Sequence, residues 1–306
     1  MHHVEVKRRM GEDDLAAIAA LANAAERFDH HAALGEHKWL DLVHGGREGF
    51  AGFVAREQDH GQLVGYAQLS RGTATWGLEV VVHPAWRDPK GEVQRALVAE
   101  ALAEVARQGG GHVHLWVPKP TEADDLVAAE LGLARGRELL QLRRRLPLEG
   151  AIAAIPPVAT RPFRPGVDDV AWLALNNRAF RAHPEQGAWD ASTLARRMAQ
   201  PWFDPAGFLL HEEAGELVAF CWTKVHPGDP PAGEIYVIGV DPAHAGRGLG
   251  TGVLRAGLAH LEALGLPQAM LYVDADNVAA LGLYRRFGFR VHHHDRAYVV
   301  DVARGP

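Results

Sequence analysis

With 306 residues, 47% of them apolar and 23% charged, the chain has the composition of a globular protein long enough for two domains, each with its own core. A formal net charge of −6 supplies no basic footprint for nucleic acid, and no apolar run of about 18 residues is available to span a membrane, so neither partner is expected. One cysteine, Cys221, excludes an intramolecular disulfide framework, and its setting in Ala219-Phe220-Cys221-Trp222 reads as a buried core thiol. The polar opening from Met1 to Asp14 lacks a secretory pattern, so a cytoplasmic protein is expected, and a monomer.

In chain order, Val4-Glu5-Val6 reads as a short strand, and Leu15, Ile18 and Leu21 mark one face of a helix. Later segments have counterparts in the second half. Gly61-Gln62-Leu63-Val64-Gly65-Tyr66 resembles Gly215-Glu216-Leu217-Val218-Ala219-Phe220, Val80-Val81-Val82-His83-Pro84 resembles Ile238-Gly239-Val240-Asp241-Pro242, and Leu131-Gly132-Leu133 resembles Phe287-Gly288-Phe289. Three matches in order, at an offset of about 156 residues, point to a duplicated domain. Between the copies, Pro147 to Pro157 reads as a linker, because Pro156-Pro157 resists both helix and central strand. The expected division is therefore 1–146, linker 147–157, and 158–306.

The second copy carries the denser pattern. A strand, Glu234 to Val240, breaks at Asp241-Pro242 and enters the turn Ala245-Gly246-Arg247-Gly248-Leu249-Gly250-Thr251. Leu254, Leu258, Leu261 and Leu264 then recur at helical spacing until Gly265 and Pro267, a strand follows from Met270 to Val273, and Asn277 opens a segment running through Tyr284 to Phe289. Glycines bring backbone N–H groups close to a ligand, and a helix N-terminus is partly positive, so the turn suits an anion such as a diphosphate. It lacks the Gly-Lys-Ser/Thr ending of a nucleotide phosphate loop and the distant acid of a dinucleotide fingerprint, and on the glycines alone an ordinary strand-to-helix turn stays open. In the first copy the matching stretch, Ala85 to Glu92, has one glycine and two acids and makes a poor phosphate cradle. Trp76, Thr121 and Ala128 stand there where the second copy has Glu234, Asn277 and Tyr284.

Strand, Gly-x-Gly turn, helix, strand, then Asn-x-x-Ala-x-x-x-Tyr-x-x-x-Gly-Phe resembles the signature of the GNAT-type N-acetyltransferases. The resemblance implies an α/β fold of two tandem GNAT-like domains, each a mixed twisted sheet flanked by helices, with the second half catalytic. It implies acetyl-CoA as co-substrate, held by Ile238, Gly239 and Val240, by Ala245, Gly246, Arg247, Gly248, Leu249, Gly250 and Thr251, and by Asn277, Val278, Ala279, Ala280, Leu281 and Gly282. In the first copy the matching positions are Val80, Val81 and Val82. The family usually has Gln or Arg where Ala245 stands, so one side-chain contact to the ligand is missing. Backbone N–H groups where the strand splays would polarise the acetyl carbonyl, and Gly239 would ease such a break in pairing.

Acetyl transfer to an amine needs a base for the ammonium and an acid for the departing thiolate. Alone, Glu234 reads as a solvated strand-end carboxylate and Tyr284 as a core aromatic beside Leu281 and Phe287. The resemblance makes them base and acid.

Asn176-Asn177-Arg178-Ala179-Phe180, His183-Pro184-Glu185-Gln186-Gly187, Trp202-Phe203-Asp204-Pro205 and Trp222-Thr223-Lys224-Val225-His226-Pro227 also resemble a tandem-domain branch of the family. Its members acetylate the cysteinyl amine of a cysteine-glucosamine-inositol conjugate. That likeness implies substrate contacts from Glu185, Lys224, Glu234 and Tyr272, and from Glu36 in the first copy. Two other readings compete: a tandem acetyltransferase for another small amine or peptide N-terminus, and a CoA-binding sensor without catalysis. His292-His293-His294 would alternate faces on a strand and cannot close on one ion, so no metal is expected.

Overall fold

The computed structural model describes residues 3–29, 31–43, 49–57, 61–72, 75–181, 183 and 186–305, leaving aside the side chains of residues 36 and 37. Two expected substrate contacts, the Glu36 side chain and Glu185, therefore lie outside the described residues. In order, the elements are β1 (His3–Lys7), α1 (Glu12–Asp29), α2 (Glu36–Val43), β2 (Ala51–Arg56), β3 (Leu63–Arg71), β4 (Thr75–Val82), α3 (Glu92–Arg107), β5 (Gly111–Pro118), α4 (Glu122–Glu130), β6 (Ala134–Arg145) and α5 (Gly150–Ala153). They continue with β7 (Arg161–Pro162), α6 (Asp169–Ala179), α7 (Ala191–Met198), β8 (Phe208–Glu213), β9 (Glu216–His226), β10 (Ala232–Val240), α8 (Leu249–Ala263), β11 (Gln268–Asp274), α9 (Val278–Arg286) and β12 (Arg290–Val302). Among the described residues no helix is long and apolar enough to cross a membrane.

The chain divides into two compact units: residues 1–139 with 294–306, and residues 140–293. The sequence repeat would end the first copy at 146 and give everything after 157 to the second. Compactness instead cuts β6 and β12, because the late part of β12 pairs antiparallel with β5, from Asp295↔Pro118 to Val302↔Gly111. In the expected linker, Gly150 to Ala153 form a helical turn ahead of Pro156-Pro157, and Ile152 and Ile155 pack on the second unit's core.

In the first unit β1, β2, β3 and β4 form an antiparallel meander, and β4 pairs parallel with β5. Val93, Leu97, Val98, Ala101 and Val105 recur along α3 at helical spacing and face this sheet, closing a core with Phe53, Leu78, Leu115 and Tyr298. Ile18, Leu21 and Ala25 of α1 belong to a second cluster with Leu42, Val54 and Tyr66.

The second unit repeats the plan. β7, β8, β9 and β10 are antiparallel in sequence, β10 pairs parallel with β11, and β6 lies beyond β11. Leu254, Leu258 and Leu261 of α8 are buried with Ile235, Leu271, Leu281 and Phe287, whereas Leu264 falls just past the helix end and is half exposed. Trp172 of α6, Leu194 of α7, Phe208, Phe220 and Trp222 form the other cluster, in which the Phe208 and Trp222 rings stack at 4.2 Å.

Candidate active site

The site is built around a departure from regular pairing in β10. Its parallel ladder with β11 covers Gly233↔Ala269, Glu234↔Met270 and Ile235↔Leu271, yet β10 runs on to Val240 and β11 to Asp274. The two strands part beyond Ile235. On the other side β10 stays paired with β9, but the register shifts between Ile235↔Thr223 and Val237↔Trp222, leaving Tyr236 as the extra residue of a bulge. Strict alternation from Glu234 would send Tyr236, Ile238 and Val240 to one face. The bulge instead puts Val237 and Tyr236 with the Trp222 cluster and turns Ile238 and Val240 toward Leu254, Leu271 and Tyr284.

The splay was expected at Ile238, Gly239 and Val240, and these three lie beyond Ile235, where pairing with β11 has ended; on the β9 side the irregularity falls at Tyr236, and Gly239 keeps its partner Phe220. The glycine serves close packing: a Cβ there would stand 2.6 Å from the Phe220 ring.

Glu234 lies directly opposite Lys224 and beside Met270, two residues before Tyr272, so Glu234, Lys224 and Tyr272 share one face of the sheet. Glu234 is only 6% exposed, and its Oε2 is 2.5 Å from His226 Nε2. The Lys224 ammonium sits over the rings of Trp202 at 4.5 Å and Tyr236 at 5.4 Å. Tyr272 is 40% exposed; its hydroxyl accepts from Gln141 Nε2 at 2.6 Å, and Arg143 Nε donates to Gln141 Oε1 at 2.7 Å. Burial lowers the Arg143 guanidinium from its ordinary value.

Tyr284 occupies the opposite face, buried with Ile235, Leu271, Val273 and Leu281, its ring edge-on to Phe289 at 6.0 Å. Burial, with a smaller contribution from Cys221, pushes its hydroxyl well above the usual tyrosine range, so the phenol keeps its proton.

At the end of β10, Asp241 Oδ1 accepts from the Ala243 amide at 3.0 Å and Oδ2 from Arg178 at 2.6 and 2.9 Å, fixing where the chain leaves the sheet. Those amide and guanidinium contacts hold the carboxyl below its usual range. Gly246 and Gly248 then take φ of +78° and +83°, the left-handed region open to glycine. Gly248 caps α8 without a side chain, so the N-cap residue itself does not compete for the first-turn amides from Leu249 to Thr251. The Arg247 guanidinium is bound to Glu213 at 2.8 and 3.2 Å, and its offer to an anion is therefore the backbone. In α9, Asn277 caps the helix through the Ala280 amide at 3.1 Å; Val278 and Gly282 are exposed, and Leu281 points into the core. The parted strands, the open turn and the uncapped helix start fit acetyl-CoA.

The first unit keeps the frame but has other residues at the matching positions. Pairing of β4 with β5 ends at Glu79↔Trp116, short of both strand ends, and Val80, Val81 and Val82 line a cavity of about 310 Å³ with Trp86, Gln94 and Trp116. Where the second unit leaves amides open, Asp88 accepts from the amides of Lys90 at 2.8 Å and Glu92 at 3.0 Å. Trp76 is a core residue donating to Gly110 O, Ala128 is buried, and Thr121 caps α4 as Asn277 caps α9. Among the described residues, no group of three His, Cys, Asp or Glu is arranged to hold a metal.

Residues 171–289 match the model of the acetyltransferase (GNAT) family. The mycothiol acetyltransferase of Thermobispora bispora is 44% identical over 291 residues, covering 94% of this chain and 95% of that protein. The chain belongs to the mycothiol acetyltransferase family. The Acidimicrobium ferrooxidans member is 45% identical over 92% of both chains. A solved tandem GNAT protein from the clavulanic acid biosynthesis pathway shares the fold, at 17% identity and a TM-score of 0.73 over 99% of this chain and all of that one. As a family member, the protein is an acetyl-CoA-dependent acetyltransferase, built as a tandem of GNAT folds.

Reading the sequence missed three groups on the Glu234 face. His226 was within reach, because it follows Lys224 by two on the same strand and alternation alone aligns them. Gln141 and Arg143 had no local signal, since they reach Tyr272 from a strand more than a hundred residues upstream.

Proposed function

We propose that the protein transfers the acetyl group of acetyl-CoA to the cysteinyl amine of the cysteine-glucosamine-inositol conjugate, forming mycothiol. The observation that carries this reading is the near-buried Glu234 at the edge of the strand gap, sharing its face with Lys224 and the tyrosine-glutamine-arginine chain. In it Glu234 takes the proton from the substrate ammonium, and Tyr284 donates one to the leaving sulfur. Acetyl-CoA supplies an activated acyl thioester. Residues 246–251 hold its diphosphate through main-chain amides, and the backbone of Ile238, Gly239 and Val240 faces the acyl carbonyl.

Lys224 and Tyr272 contact the pseudodisaccharide, with Glu36 and Glu185 joining them by likeness to the family. The first copy, residues 1–146, carries no transfer chemistry of its own, given Trp76, Ala128 and the Asp88 carboxylate on its amides. The proposal places the reaction in the cytoplasm.

The test is thiol release from acetyl-CoA with the cysteinyl pseudodisaccharide, run beside a peptide amine. Release with the first and little with the second is expected. Release with the peptide alone would replace the substrate, and tight acetyl-CoA binding without release on either amine would replace catalysis by sensing.

A further inference from the structure

We propose that His226 is a positioning residue for the acid/base step: its ring Nε2–H holds Oε2 of Glu234, so that the other carboxylate oxygen is presented to the incoming amine. This rests on the assignment of Glu234 as base. The two atoms are 2.5 Å apart, a short charge-assisted contact. Glu234 is nearly buried, so water does not fix its rotamer, whereas the His226 side chain is 33% exposed.

The register explains how the two meet. His226 is paired with Ala232, whose small side chain leaves room above it, and Glu234 is the diagonal neighbour on the same face. Lys224, directly across from Glu234, has its ammonium over the Trp202 and Tyr236 rings. The imidazole is thus the described group set to restrain the carboxylate. A base that is free to rotate loses reach, and misplacement by about 1 Å can cost about 100-fold in rate.

Steady-state kinetics of five variants tests this. His226→Ala is expected to lower kcat by about 10- to 100-fold with the KM for acetyl-CoA unchanged. His226→Gln, whose amide nitrogen reaches where Nε2 stood, should return to within a few-fold of the parent, and His226→Asn, too short to reach, should not. Adding His226→Ala to Glu234→Gln should cost nothing more, because the histidine acts through the carboxylate.

Equal activity of the Gln and Asn variants, a loss confined to KM, or a further tenfold loss in the double variant would each overturn the proposal. The Gln-against-Asn comparison serves even if the Ala variant folds poorly. If Glu234→Gln is inactive while His226→Ala turns over normally, the positioning role alone fails. If Glu234→Gln keeps its turnover, the base assignment fails and takes the positioning role with it.

Discussion

In the proposed mechanism Glu234 and Tyr284 carry opposite proton transfers, and their surroundings differ. The carboxylate reaches its partner at the rim of the gap, while the phenol is enclosed by aliphatic side chains that penalise its anion. Glu234→Gln and Tyr284→Phe are each expected to lower kcat by about 10²- to 10⁴-fold with little change in acetyl-CoA binding, measured by thiol release and by equilibrium titration with CoA. Near-normal turnover in either variant removes that residue from the chemistry. Cys221 lies among the same apolar groups, fully buried, and burial raises its thiol from 9.0 to about 12. Because the folded value is the higher one, this thiol favours the fold below its ordinary value, and that contribution is lost as pH rises through about 12. At pH 8 the native protein should therefore leave a thiol-specific reagent unreacted and consume one equivalent once unfolded in guanidinium; rapid labelling of the native state would contradict the burial.

At the scale of elements, glycine at two positions does two different jobs. Gly248 has open space around it and a φ of +83°, so Gly248→Ala meets only the left-handed penalty of about 1–2 kcal/mol, located where α8 begins. The expected outcome is a several-fold rise in the KM for acetyl-CoA with kcat retained. Gly239→Ala instead drives a methyl into the Phe220 ring, and overpacking of about 1–3 kcal/mol should appear as a lower urea midpoint. If both variants behaved alike in both assays, the distinction drawn from their geometry would fail. The turn was legible in the sequence because its signal is local: Gly-x-Gly followed at once by a helical leucine pattern. The Tyr236 bulge was not, because two-residue alternation is the only rule a strand writes into its sequence, and a bulge is the place where that rule lapses. The same limit hid Gln141, whose meeting with Tyr272 is decided by strand order.

At the scale of the whole molecule, the duplication was legible because each copy repeats a strand-turn-helix grammar at nearly constant offset, down to Thr121 and Asn277 capping corresponding helices. The membership of the last strand was not, since nothing in Asp295 to Val302 states which β-edge it will complete. In the structure it completes the first unit: it pairs along the full length of β5, buries Tyr298 at 1% exposure, and ties Arg296 to Asp125 and Glu138. Loss of a buried aromatic alone costs about 3–5 kcal/mol, a large share of the roughly 5–15 kcal/mol that holds a domain together. It would also strip β5 of a neighbour and expose a pairing edge. A chain ending at residue 293 should therefore lose the amide protection of β4 and β5 and bind a hydrophobic dye, although the deletion lies at the far end of the sequence from those strands. Joining 294–306 through a flexible Gly/Ser linker to a chain of residues 1–139 should restore a cooperative urea transition that 1–139 alone lacks. Retention of β5 protection in the 1–293 chain would show that the first unit closes without this strand.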